Sequence, residues 1–97
     1  MITHVVVFKL KEPSPENIRK TKEALEGLWG KVPQLKRLEV GTDVVRSARS
    51  YDIALVAGFS TLSELEAYRS HPAHLEVLER IKKVKESSIT VDYESER

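Results

Sequence analysis

The sequence predicts one α+β domain over residues 1–97, a ferredoxin-like βαββαβ unit with a four-stranded antiparallel sheet, paired with a second copy of itself. Three observations carry this. Four strand-like runs and two helical stretches follow one another in that order, a connectivity that puts both crossover helices on one face of the sheet. The first and third strands are apolar on both sides, so the face away from the helices also needs cover. The chain has no further helix to supply that cover, and a twofold copy is the commonest solution.

The first strand runs from Ile2 to Lys11 and is rich in β-branched residues. His4, Val6, Phe8 and Leu10 share one side with Ile2, and Val5 and Val7 take the other. Pro13 ends it. Ser14 is placed to cap a helix, with Pro15 at the first helical position and Glu16 in the first turn. The spacing of Ile18, Thr21, Ala24, Leu25, Leu28 and Trp29 carries that helix to about Trp29, where Gly30 stops it. After Val32-Pro33 the second strand covers Leu35 to Val45, with a candidate bulge at Gly41. A polar turn over Arg46–Ser50, read as solvated surface, leads to the third strand, Tyr51 to Phe59. Thr61-Leu62-Ser63-Glu64 matches a capping box and starts a short helix that buries Leu65 and Tyr68. His71-Pro72-Ala73-His74 interrupts it. A longer helix then runs to about Glu86, with Leu75, Val77, Leu78, Ile81 and Val84 as its buried stripe and Glu79 and Lys83 as an exterior ion pair. Ser88 to Tyr93 is the last strand, and Glu94 to Arg97 reads as a frayed tail.

Composition excludes several function classes. Sixteen basic and fifteen acidic residues leave a net charge of +1, which supplies neither a basic face for nucleic acid nor a pull toward an anionic membrane. No apolar run approaches the roughly 20 residues that span a bilayer. With no cysteine, disulfides, thiolate zinc sites and cysteine nucleophiles are ruled out. The expectation is a cytoplasmic protein without a cofactor.

The three histidines are the candidates for chemistry, since imidazole exchanges a proton near neutral pH without special tuning. His4 lies on an apolar strand. His71 and His74 flank Pro72 at the helical break, where His71 also fits a plain capping role. No acidic residue or cysteine completes a recognisable ligand pattern with them, so no metal is expected. Glycine-rich phosphate loops, nucleophile elbows and paired-carboxylate signatures are absent. Trp29 reads as helix core.

Several segments together resemble the stress-responsive A/B barrel (Dabb) domain family of dimeric α/β barrels. They are Ile2-x-His4-x-Val6-x-Phe8-Lys9, Leu38-Glu39-Val40-Gly41-x-Asp43-Val44, Ser50-Tyr51-Asp52-Ile53-Ala54-Leu55, Tyr68-Arg69-Ser70-His71-Pro72-Ala73-His74 and Val91-Asp92-Tyr93. The resemblance covers nearly the whole chain. It implies a homodimer whose two sheets form a barrel, and it leaves the activity open. Similarity to a plant relative, olivetolic acid cyclase, implies that His74 and His4, helped by Tyr68, form a catalytic set for an aldol-type reaction with His74 as general base. The first helix carries Lys22 and Leu25 in place of the aromatic residues that line the cyclase's alkyl pocket, which weighs against a polyketide. The match also turns His4 toward the helices, and implies a ligand pocket walled by Val6, Phe8, Leu25, His71 and Leu78. A small apolar or aromatic molecule bound there is the leading expectation. A cofactor-free lyase or cyclase, a cofactor-free monooxygenase and a purely structural stress protein are the alternatives.

Overall fold

A computed structural model describes residues 1–96. Seven elements follow in order: β1 (Ile2–Leu10), α1 (Pro15–Glu26), β2 (Arg37–Thr42), β3 (Ile53–Phe59), α2 (Leu62–Ser70), α3 (Pro72–Val84) and β4 (Lys85–Glu94). The four strands form one antiparallel sheet in the order β2-β3-β1-β4. The two strands that are apolar on both sides are thus the two central ones. Val6 faces Leu55 and Phe8 faces Ile53 across β1–β3, and these side chains are buried under the helices with Phe59, Leu65 and Tyr68. Burying a side chain of this size stabilises the fold by roughly 1.5–3 kcal/mol. Among the described residues no helix is long and apolar enough to cross a membrane.

The predicted caps are in place. The Ser14 hydroxyl accepts from the Asn17 N–H at 3.1 Å, and the Thr61 hydroxyl accepts from the Glu64 N–H at 3.2 Å. The Glu64 carboxylate reaches one residue further back than a capping box requires, accepting from the Ser60 N–H at 3.1 Å.

Several expected boundaries are corrected. Helix α1 stops at Glu26, where the ladder tightens to i→i+3 bonds from the Leu28 and Trp29 N–H groups. The tightening turns Leu28 fully inward and leaves Trp29 56% exposed, so Trp29 is not helix core. Strand β2 is shorter than Leu35–Val45. The Asp43 N–H bonds the Asp52 carbonyl and the Arg46 N–H bonds the Asp43 carboxylate, which folds the chain away from the sheet and leaves Val44 and Val45 exposed. Gly41 pairs with Ala54 in continuous register; the sheet's irregularity lies at Lys9/Leu10 instead. Arg46 is not merely solvated surface. Its guanidinium donates to the buried Asp52 carboxylate at 2.7 Å, and the other Asp52 oxygen accepts the Leu10 N–H, also at 2.7 Å. On α3, Glu79 pairs with Lys82 at 3.8 Å and not with Lys83. The tail is tied down as far as Ser95, whose N–H bonds the Met1 carbonyl at 2.8 Å, so the expected fraying does not begin at Glu94. Arg97 lies outside the described residues.

The consequential difference is on α3. Ile81 is buried as expected, but Leu75 and Leu78 are 48% and 40% exposed. They face the helix side of β4, whose residues there are Ser88, Thr90 and Asp92, paired with Phe8, Val6 and His4 of β1. A polar strand gives α3 no apolar surface to seal against, and a gap stays open between them.

Candidate functional site

That gap is a cavity of about 850 Å³ between the sheet and α3, a volume typical of small-molecule sites. Val6, Phe8, Leu25 and Leu78 form its apolar wall together with Leu55 and Val77. The β4 hydroxyls of Ser88 and Thr90 form a facing polar wall.

At one end stand His4, Tyr68, His74 and Asp92. The alternation of β1 places His4 on the helix side, with its ring centroid 6.0 Å from that of Tyr68. Tyr68, on the buried side of α2, packs its ring 4.9 Å from Phe59 and 4.2 Å from His74. The Pro72 break starts a new helix whose first turn carries His74 back over Tyr68. The three residues expected to act together are therefore brought together.

The hydrogen bonds define what each can do. A carbonyl oxygen only accepts, so the His74 Nδ1–H donates to the Arg69 carbonyl at 3.1 Å, and Nε2 keeps its lone pair. Burial pulls the His74 pKa below the ordinary histidine value. The Arg69 carbonyl opposes this shift, and the positive charge of Arg69 adds to it. His74 is therefore a neutral base at physiological pH. Burial also pushes the Tyr68 phenol up to about 12, so it stays protonated. Among the described residues none accepts from the Tyr68 hydroxyl, although the side chain is 1% exposed and lines the cavity. A buried donor in that position is free for a ligand oxygen.

The His4 Nδ1–H donates to the Asp92 carboxylate. Asp92 was missed because an acidic residue on a terminal strand reads as solvent-facing. Only the β1–β4 register sets it opposite His4. Its one sequence signal is that it shares the β4 face with Thr90, opposite Val91 and Tyr93.

His71, expected in the pocket wall, lies outside it. It ends α2 and caps α3, its Nδ1 accepting the Ala73 N–H at 3.1 Å. Among the described residues no group of three His, Asp or Glu side chains is placed to hold a metal ion.

The family model of the stress-responsive A/B barrel domain (Dabb) matches residues 2–95. The chain belongs to that family. This Dabb chain superposes with a TM-score of 0.84 on a dimeric ferredoxin-like protein of unknown function from Bacteroides fragilis, at 31% identity over 97% of this chain and 95% of that one. A dimeric ferredoxin-like protein of unknown function from Thermobifida fusca gives a TM-score of 0.86 at 27% identity, covering 97% of this chain and 90% of the other. The hydroxynitrile lyase of Passiflora edulis shares the fold, with a TM-score of 0.84 at 20% identity over 99% of this chain and 94% of that one. No curated protein matches the sequence.

Proposed function

We propose that this Dabb chain works as a homodimer that binds a small apolar or aromatic carbonyl compound in the sheet–helix cavity, where His74 removes a proton alpha to the carbonyl. The carrying observation is the pairing of His74 with Arg69. With Nδ1–H committed to a backbone carbonyl, Nε2 is the basic atom, beside a buried phenol with no internal acceptor. In the step, the substrate C–H bond breaks and its proton goes to Nε2. The electron pair moves to the carbonyl oxygen as an enolate, and the Tyr68 hydroxyl donates to that oxygen. Reprotonation of the carbon from His74 restores the base. His4, oriented by Asp92, positions the carbonyl end. An open cavity also weighs against a purely structural role.

The dimer follows from the other face of the sheet. Ile89, Val91 and Tyr93 are 56%, 59% and 49% exposed and continue the surface of Val5 and Val7. A contiguous apolar sheet face of this kind marks an interface. The Bacteroides and Thermobifida relatives described as dimeric support the same reading.

The test is deuterium exchange at the carbons alpha to the carbonyl of benzylacetone, followed by NMR. Wild type accelerates exchange over buffer. His74→Gln lowers the rate by ~10²–10⁴-fold, the range of a positioned general base. Exchange unchanged in His74→Gln overturns the assignment. Saturable binding without any exchange leaves a binding protein with no turnover.

A further inference from the structure

We infer that the cavity selects carbonyl compounds carrying a carboxylate at the end remote from the carbonyl, held by Lys82 and Lys85; this rests on the reading of the His74 end as the reacting one. The two ends of the cavity differ in charge. At the His74 end, Arg69 and Asp92 balance, and Arg69 already lies 3.8 Å from Glu66. At the far end Lys82 and Lys85 face Glu79 alone, so the balance there is one positive charge. The Glu79–Lys82 pair at 3.8 Å joins two exposed side chains, an arrangement that holds little. Lys85 has no carboxylate partner among the described residues, and its ammonium donates to the Ser88 hydroxyl at 3.2 Å. An anion beside Lys85 would meet that ammonium and the Ser88 O–H together, whereas an anion beside His74 would meet the Asp92 carboxylate.

The spacing is that of a ruler. Lys82 follows His74 by two helical turns on the same stripe as Leu78, about 12 Å along α3 at 1.5 Å per residue. On the opposite wall Ser88, where the Lys85 ammonium rests, is four residues from Asp92, about 13 Å along β4. Val6, Phe8 and Leu78 line the span between. A medium-length chain or an aromatic spacer bridges it, with its carbonyl at Tyr68 and its carboxylate at the lysines.

The test is calorimetric titration of the dimeric protein with octanoate and with octanol, apolar tails of equal length that differ in the charged group. At low ionic strength octanoate binds at least tenfold tighter than octanol. The preference shrinks as salt rises, because the lysines are solvent-accessible. The double variant Lys82→Gln, Lys85→Gln keeps the wild-type fold by circular dichroism and the octanol affinity, and loses the preference. Equal binding of both probes to wild type overturns the anionic anchor and leaves the cavity reading standing. A preference that survives in the double variant also overturns it, and places the carboxylate at Arg69 or the histidines. If neither probe binds, the cavity reading itself falls and takes this one with it.

Discussion

At the residue scale, His74 and its surroundings make a pH prediction with a definite sign. Its folded-state pKa lies below the ordinary 6.5, with burial the largest cause. On acidification the unfolded chain takes up this proton before the folded one does, so unfolding gains a proton and stability rises with pH in that window. The contribution is intact above 6.5 and is lost as pH falls through the depressed folded value. Thermal unfolding followed across that range shows the melting temperature dropping on the acid side, and His74→Gln removes part of the slope. Benzylacetone exchange carries the same signature, with its acidic limb centred below the ordinary histidine value. A limb at or above that value means another group is the base. His4, His74 and Tyr68 were all legible in the sequence, through their residue types and the family pattern. Asp92 was not, because nothing local distinguishes a carboxylate that meets an imidazole from one that meets water.

At the scale of elements, the α2–α3 junction shows how a capping residue can pass for a site residue. His71 is the last residue of one helix cap and the first of the next, and its ring nitrogen satisfies the Ala73 N–H. Helix N-termini leave such donors orphaned, and removing a cap costs about 1 kcal/mol. His71→Ala therefore lowers the unfolding free energy by about that amount in chemical denaturation, and His71→Asn restores most of it. Benzylacetone exchange per folded protein is the same in both. A loss of exchange in His71→Asn at unchanged stability gives His71 a role at the ligand. The caps of α1 and α2 were readable from Ser14 and Thr61 because capping is a matter of residues three positions apart. The ends of α1 and β2 were not. They depend on an i→i+3 tightening and on the Asp43–Asp52 and Arg46–Asp52 clasp, which ties the turn between β2 and β3 to the end of β1 at Leu10.

At the scale of the molecule, the two faces of one sheet do different work. The helix side buries the core and leaves a cavity; the other side shows Ile89, Val91 and Tyr93 to solvent in a single chain. Val91 pairs with Val5 at the middle of the β1–β4 ladder and points away from the cavity. Val91→Asp places a charge in the centre of the proposed interface, where an unpaired ion is costly to bury. Sedimentation velocity then shows the mass falling from two chains to one, with the circular dichroism of the folded domain retained. Wild type sedimenting as a single chain at micromolar concentration removes the dimer from the proposal.

The sequence by itself determined the element order, the helix caps, the greasy central strands and the identity of the imidazoles and the phenol. These follow from periodicity, propensity and interactions spanning a few residues, which the chain carries whatever its surroundings. Only the tertiary structure decided that His4 pairs with Asp92, that His71 caps α3 without lining the cavity, and that Leu75 and Leu78 look into a gap instead of a packed core. Each depends on the register of β4 against β1 and on how far α3 stands from that strand. Such long-range placements are set by the whole chain's competition for burial, and a polar row on β4 settles it by refusing the helix.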